Sequence, residues 1–339
     1  MKRAVIVLLT LLPSAALAQE GVVIPKPEAP EARQAPAAAR PSDAGGRRRP
    51  SMVGYVNDSD VATQLRIRFD TAYNVKAADR AEFFYAKSGL FKTLPATNPN
   101  YDPNAPGPGP ANATRLNFQQ LFVHAEYAPS PRLSVYGEIP LRFIQPKAFS
   151  PANASFDSAS GISDIPFGAK AGLASNEHRQ ITASVQFTAP SGDPLKGLGS
   201  DHWSIEPALL YHERAGIVSI ESQIGEVFPT DGSAGLPTSS SEKFAGKVVY
   251  WGVGPSFEIV RQSDFAFAPV VELVGWHFVD GFQTGGLASV AGLDVVNAKA
   301  GGRFLFGANS LYVGYGRAIT HKWIYEQILR VEYRVAFGR

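Results

Sequence analysis

The chain has no cysteine among its 339 residues, which excludes disulfide bonds and thiolate metal sites. It also lacks an excess of either charge, because 32 basic residues stand against 30 acidic ones and leave a formal net charge of +2. Nucleic-acid-binding domains show a much stronger basic bias. We therefore expect no nucleic-acid partner.

Long apolar runs are missing after the first twenty residues, so no later segment has the roughly 18 apolar residues that a membrane-spanning helix needs. The N-terminus is different. Lys2 and Arg3 precede the apolar run AVIVLLTLL, and Ala16-Leu17-Ala18 offers the small residues that signal peptidase requires. We predict a signal peptide at 1–18, cleaved in the mature protein, and export in a Gram-negative bacterium.

Residues 19–60 follow this signal with many prolines and alanines and with scattered charges. Such a composition buries too little apolar surface to offset the entropy cost of ordering the chain. The sequence therefore predicts a disordered periplasmic linker at 19–60.

Beyond residue 60 the dominant pattern is alternation. In RLSVYGEIPLRF at 132–143, apolar residues such as Val135 and Leu141 alternate with polar ones such as Glu138 and Arg142. A period of two residues predicts strands with one apolar and one polar face. Twelve segments follow it: 62–75, 116–127, 133–144, 162–173, 180–190, 201–212, 216–228, 245–259, 265–278, 293–306, 310–320 and 324–337.

The connections between these segments are alternately short and long, with 76–115 the longest, although THKW at 320–323 is a short link where a long one is expected. Short periplasmic turns and long extracellular loops are typical of outer-membrane barrels. A soluble β-sandwich is the alternative, but its strands are usually half as long. We predict an all-β fold, a transmembrane antiparallel up-and-down β-barrel of about 12 strands, over residues 61–339.

Several segments carry a resemblance to a known family. QQLFVHAEYAPSPRLSVYGEIPLRF at 119–143, GISDIPFGAKAGL at 161–173 and KGLGSDHWSIEPALLY at 196–211 are the clearest. The chain resembles the outer-membrane transporter family labelled "putative MetA-pathway of phenol degradation". The resemblance implies a transport channel in the outer membrane, and the family's label suggests aromatic solutes. It supplies no catalytic or binding residues.

The side chains on the polar face of each predicted strand would point into the barrel lumen. Both signs of charge occur there, so we expect cross-strand ion pairs and weak ion selectivity. The rings of Tyr136, Trp276 and Tyr312 share this face and could contact an aromatic solute or fill space. The predicted lumen-lining residues are Arg66, Arg68, Asp70, His124, Glu126, Tyr136, Glu138, Arg142, Asp164, Lys170, Glu206, Glu272, Lys299, Arg303, Arg330 and Glu332.

Twelve strands enclose a narrow lumen, which the loop at 76–115 or the linker could partly plug. We therefore expect a channel through which small, aromatic or hydrophobic solutes diffuse. Its expected partners are outer-membrane lipid, small-molecule solutes and the barrel-assembly machinery. The oligomeric state stays open.

The sequence leaves two other functions open. His202 and Ser204 form an H-x-S pair like that of outer-membrane lipid hydrolases, with Glu206 near enough in sequence to orient the histidine. Their parity places them toward the lumen, away from lipid, so we expect no enzyme. A structural or adhesive surface barrel is the other alternative. The six histidines show no metal-ligand spacing, and we expect no metal and no cofactor.

Overall fold

The alternating segments form fourteen strands in the computed structural model, which describes residues 50–230, 243–286, 288–322 and 324–337. These residues belong to one structural unit, Gly45–Arg339. The predicted signal peptide and residues 19–49 of the predicted linker lie outside the described residues. Two short 3₁₀ helices, Gly89–Thr93 and Pro194–Lys196, lie in the connections between strands.

The strand bounds follow the chain order. They are β1 (Thr63–Val75), β2 (Asn112–Ser130), β3 (Leu133–Ser150), β4 (Ala159–Ile162), β5 (Ile165–Ser175), β6 (Arg179–Ala189), β7 (Ser204–Ala215), β8 (Val218–Pro229), β9 (Val248–Phe257), β10 (Val260–Arg261), β11 (Phe265–Phe278), β12 (Leu293–Phe306), β13 (Asn309–Ala318) and β14 (Gln327–Phe337).

The fourteen strands build twelve positions around the barrel. Strands β4 and β5 both pair with β3 and form one interrupted barrel strand, as do β9 and β10, which both pair with β11. Neighbours along the chain pair antiparallel, and β1 pairs with β14 to close the sheet. The predicted antiparallel barrel of twelve strands is thus confirmed.

The two rims of the barrel differ in their connections. One rim carries tight turns at 131–132, 176–178, 216–217 and 307–308. The other carries long connections, above all 76–111, which we call the capping loop. This asymmetry matches the predicted pattern of short periplasmic turns and long extracellular loops.

Strand parity divides the apolar from the charged side chains. Large apolar residues such as Ile67, Val135 and Tyr333 are exposed on the outer face of the barrel wall, whereas Glu272 and Arg303 on the inner face are completely buried. An apolar outer band around a closed barrel is the surface that lipid requires.

No helix in the described part of the chain is both long and apolar enough to cross a membrane.

The barrel interior contains residues 50–60, which we call the plug. Ten of its eleven residues are buried or nearly so, Asn57 being the exposed one. The expected disorder of 19–60 is therefore corrected for this stretch. The entropy cost of ordering these residues is offset because their backbone groups form buried hydrogen bonds with the barrel wall.

Candidate functional site

The plug is a loop that enters and leaves the lumen on the side of the short turns. The backbone N–H of Ser51 donates to the Asp60 carboxylate at 2.9 Å and joins the two ends of the loop. Its middle residues, Gly54 to Val56, reach across to Glu272 on β11. Gly54 is required there, because a Cβ at this position would lie 2.1 Å from the Tyr312 ring.

Glu272 is the main acceptor for the plug. Its carboxylate accepts hydrogen bonds from the backbone N–H groups of Gly54 at 3.3 Å, Tyr55 at 2.7 Å and Val56 at 2.7 Å. It also accepts the Tyr312 hydroxyl at 2.9 Å. Four donors satisfy this buried charge, which forms no ion pair with the described residues, and in return the carboxylate satisfies three plug amides.

Three arginines bind the hydrogen-bond acceptors of the plug, whereas Glu272 binds its donors. Arg303 donates to the carbonyl oxygens of Met52 at 3.0 Å and Val53 at 2.6 Å. Arg330 donates to the Gly54 carbonyl at 2.5 Å. Arg334 forms an ion pair with Asp58 at 2.7 Å.

The same arginines are also tied to carboxylates of the wall. Arg330 makes two hydrogen bonds to Asp70, at 2.6 and 2.7 Å. Glu332 lies between Arg303 and Arg334, at 2.8 and 3.1 Å. Because every one of these charges has an opposite charge nearby, the buried network is electrostatically compensated.

The far wall of the barrel holds the other end of the plug. Lys170 on β5 donates to the Asp60 carbonyl and pairs with Glu126, both at 3.1 Å. Thr182 on β6 donates to the Ser59 carbonyl at 2.7 Å, and Gln180 donates to the same oxygen. The plug is therefore fixed to strands on both sides of the lumen.

Next to the plug lies a cavity of about 470 Å³. Tyr55 and Asn57 of the plug line it, as do Glu82 and Phe83 of the capping loop. Most of its remaining lining comes from the inner faces of the strands, and Asp164, His202 and Tyr325 contribute from the connections between strands. A cavity bounded by a plug and a capping loop can hold a small solute.

A cluster of charges on β1 to β3 lines one side of the cavity. Arg68 donates to Glu138 at 3.1 Å, and its guanidinium stacks 3.8 Å from the centre of the Phe122 ring. Arg66 contacts His124 at 3.1 Å, and His124 stacks on Tyr136 with ring centroids 5.5 Å apart. These are the cross-strand pairs expected from strand parity.

The capping loop is fixed to the wall from above. Arg142 on β3 donates to the Phe83 carbonyl at 2.8 Å and to the Gln120 side chain at 3.2 Å. Phe83 packs edge-on against Phe278, and Phe84 packs against Phe118. The loop therefore packs into the barrel mouth instead of extending away from it.

Asp164 lies where β4 ends and β5 begins, and it organises the connection after β6. Its carboxylate accepts from the backbone N–H groups of Gly192 at 3.0 Å and Ser200 at 2.7 Å, and from the Ser200 hydroxyl at 2.7 Å. Glu206 on β7 faces the cavity and accepts from Thr188 at 3.2 Å and Ser204 at 3.4 Å. Both carboxylates are thus engaged with neutral donors.

His202 and Ser204 do not form the hydrogen-bonded pair that the hydrolase alternative requires. The Nδ1 atom of His202 lies 2.7 Å from the Ser200 carbonyl, and the Ser204 hydroxyl turns to Glu206. Both side chains line the cavity inside the barrel. This is the position expected from their parity, away from the outer band that lipid would contact.

The structure divides the predicted lumen-lining residues into two groups. Those that line the cavity are Arg66, Arg68, His124, Tyr136, Glu138, Arg142, Asp164, Lys170, Glu206, Lys299 and Arg330. The others, Asp70, Glu126, Glu272, Arg303 and Glu332, are buried in the networks around the plug. Whether any of them acts on a solute stays a prediction.

Among the predicted aromatic contacts, Trp276 and Tyr136 line the cavity. Tyr312 is fully buried against the plug and fills space. The plug residue Tyr55 lines the cavity but is absent from the sequence prediction. The available signal was the apolar pattern of MVGYV at 52–56, which differs from the Pro/Ala-rich residues before it and lies close to the first strand.

Within the described ranges, no group of three or more His, Asp or Glu side chains is arranged to hold a metal ion.

The model of the family described as "Putative MetA-pathway of phenol degradation" matches residues 101–320, more than half of the chain. No curated protein sequence matches the chain.

Among solved structures, the chain is similar to the COG4313 outer membrane channel from Pseudomonas putida F1, with 15% identity, coverage of 84% of this chain and 100% of that one, and a TM-score of 0.49. It is also similar to the NanC porin, with 7% identity, 81% and 100% coverage and a TM-score of 0.42. The translocator domain of the autotransporter NalP from Neisseria meningitidis has 8% identity, 81% and 88% coverage and a TM-score of 0.44.

Proposed function

Since the chain belongs to the family described as "Putative MetA-pathway of phenol degradation", we propose that it is an outer-membrane channel that passes small aromatic or hydrophobic solutes through its lumen. The observation that carries the proposal is the cavity of about 470 Å³ between the plug and the capping loop. Its lining combines hydrogen-bonding groups with aromatic rings, which is the usual composition of a small-solute site.

Location in the outer membrane is supported by two independent features. The outer face of the barrel carries an apolar band that needs lipid. The N-terminal residues have the pattern of a signal peptide, which would export the chain. The long connections would then face the cell exterior, and the short turns would face the periplasm.

The plug explains how passage would be controlled. It lies in the path of diffusion and is fixed by Glu272, Arg303, Arg330 and Arg334 on one side and by Lys170 on the other. A solute that enters past the capping loop would rest in the cavity, and release to the periplasm would require the plug to shift. Slow, gated passage follows from the number of hydrogen bonds that must be broken together.

The proposal assigns the protein no catalytic step and no cofactor. A hydrolase would need Ser204 activated by His202, yet their hydrogen bonds go to Glu206 and to the Ser200 backbone.

Solute flux into liposomes is the deciding experiment. The refolded mature protein would be inserted into liposomes, and the influx of benzyl alcohol, benzoate and glucose would be followed, with planar-bilayer conductance recorded in parallel. We expect flux of the aromatic solutes above that of protein-free liposomes, and slow or brief conductance events. A folded, inserted barrel that passes none of the solutes and remains electrically silent would contradict the channel proposal.

A further inference from the structure

Lys299 is a cation in the cavity that forms no ion pair with the described carboxylates of the network around the plug. Lys299 on β12 is 4% exposed and lines the cavity. Within the described residues, no carboxylate lies within 4 Å of its Nζ atom, and no hydrogen bond from Nζ is formed. A buried ammonium group normally has a paired anion, and Lys299 has none among the described residues.

The expected partner of Lys299 is engaged elsewhere. Glu272 lies directly across from it in the β11–β12 register. The plug, however, occupies that carboxylate with three backbone N–H groups, and the Tyr312 hydroxyl occupies it as well. Asp70, the other nearby acid, is held by two hydrogen bonds from Arg330. Seating of the plug therefore leaves the Lys299 ammonium directed at the cavity.

Three aromatic rings surround this ammonium group. The Nζ atom lies 3.9 Å from the centre of the Tyr55 ring, 5.6 Å from Trp276 and 5.7 Å from Tyr325. Cation–π contacts of this kind compensate part of the desolvation of an ammonium group. They also leave its N–H donors available, because ring faces accept hydrogen bonds only weakly.

We infer that Lys299, Trp276, Tyr325 and Tyr55 form a binding site for a small aromatic carboxylate. The carboxylate would accept charge-assisted hydrogen bonds from Lys299 and supply the missing negative charge. The ring would pack against Trp276 and Tyr325, whose own rings meet edge-on with centroids 6.3 Å apart. This inference rests on the proposed function, because it names the solute class that the channel would take.

The plug is part of the site in two ways. Tyr55 supplies the nearest ring. The plug backbone also donates hydrogen bonds to Glu272, so this carboxylate does not pair with Lys299. A displaced plug would allow Glu272 to pair with Lys299 across the two strands. Anion binding and plug seating therefore favour each other, and the site would lose affinity when the plug opens.

Direct binding to the full mature protein in detergent tests the inference, with benzoate, acetate and benzyl alcohol as probes in isothermal titration calorimetry. We expect benzoate to bind more tightly than either other probe, since only benzoate has both the ring and the charge. The K299M variant should bind benzoate about tenfold more weakly, the loss of a charge-assisted hydrogen bond, while its weak binding of benzyl alcohol is unchanged. K322M, which removes an exposed loop charge, is the matched control and should bind like the parent protein.

A second variant protects the test against misfolding. W276F keeps the ammonium group and a ring, so it should fold normally and lower benzoate affinity less than K299M does. Equal affinity for acetate and benzoate would overturn the aromatic part of the inference. Benzoate binding that is unchanged in folded K299M would overturn the site. Solute flux that persists in either case would leave the channel proposal standing, because flux is measured separately from binding.

Discussion

The two sides of the lumen use the same residue types in different ways. On the side of β8, β11, β12 and β14, charged residues such as Glu272 and Arg303 are fully buried against the plug. On the side of β1 to β3 and β7, charged residues such as Arg68 and Glu206 face the cavity. We call these the plug wall and the cavity wall.

The difference between the walls lies in what satisfies each charge. The plug wall donates to and accepts from the plug backbone, so its charges compensate peptide groups that would otherwise be buried without partners. The cavity wall satisfies its charges mainly within itself, as in the Arg68–Glu138 pair at 3.1 Å. A change in the plug wall should therefore move the plug, and a change in the cavity wall should alter what the cavity holds.

The largest effect is expected from removing the plug. Deletion of residues 50–60 opens the space that these residues fill, and water can then solvate the plug wall. We expect a severalfold higher single-channel conductance in planar bilayers, with folding checked by the heat-dependent gel shift typical of barrels. Deletion of 30–40, of equal length and outside the plug, is the matched control. Equal conductance of the two deletion variants would mean that the plug does not limit passage.

The next largest effect is expected when the same substitution, glutamate to alanine, is made in each wall. Glu272→Ala leaves three plug N–H groups and the Tyr312 hydroxyl without an acceptor, and each unsatisfied buried group costs about 1–3 kcal/mol. Glu206→Ala removes an acceptor for two hydroxyl groups at the cavity, which water can replace. We expect Glu272→Ala to release the plug and Glu206→Ala to leave it seated.

Plug release can be measured with a spin label, because the chain has no native cysteine to compete with an introduced one. Asn57 is the exposed plug residue, so a single cysteine for the label would be introduced there. The label should become mobile in the Glu272→Ala background and stay restricted in the Glu206→Ala background. Similar label mobility in both backgrounds would mean that the two walls do not differ in how strongly they fix the plug.

A smaller effect concerns pH and the capping loop. Burial raises the pKa of Asp79 from its ordinary value of 3.8 to about 6; neighbouring Arg80 lowers it, while Glu82 raises it. The packed loop therefore binds this proton more tightly than an unpacked loop would. Its packing is most favourable at low pH and weakens as the pH rises from 3.8 through about 6.

The mobility of a spin label at Thr97, an exposed position in the capping loop, measures this dependence. We expect mobility to increase with pH across that window in the parent protein. Asp79→Asn removes the titrating group and should flatten the profile. A profile that keeps its slope in Asp79→Asn would assign the effect to another group.

The smallest effect is expected outside the lumen. Arg179 and Glu213 form an ion pair at 2.7 Å on the short-turn rim, where both side chains are exposed. Arg334 and Asp58 have the same 2.7 Å separation but are buried between wall and plug. Solvent screens the exposed pair, so Arg179→Ala should leave the thermal unfolding midpoint unchanged, whereas Arg334→Ala should lower it clearly. Equal shifts would show that burial does not decide the strength of these pairs.

Much of the fold could be predicted because β-barrel structure has a local signature. In β1 the apolar residues Leu65, Ile67 and Phe69 alternate with Arg66 and Arg68. This alternation assigns each side chain to the lipid or the lumen without information on the neighbouring strands. The bounds were less predictable. Strands β2 and β3 extend to Asn112 and Ser150, past their predicted ends, because they pair with each other beyond the rest of the barrel.

The site was less predictable because it depends on contacts between distant residues. Parity places Lys299 and Glu272 on the inner face, and their opposite charges suggest an ion pair. In the structure, the Glu272 carboxylate instead accepts a hydrogen bond from the backbone N–H of Tyr55, and the Lys299 ammonium group lies among aromatic rings. That outcome depends on residues more than two hundred positions apart in the chain, so local pattern does not reveal it.

The sequence by itself determined the barrel class, the number of strands and the face of each side chain, because a period of two is a property of each strand alone. Only the tertiary structure decided which charges pair with each other, which hold the plug and which face the cavity. Closing the sheet brings residues 50–60 and six or more separate strands into one small volume. There the fold decides which groups come close enough to satisfy a buried charge, and distance along the sequence does not.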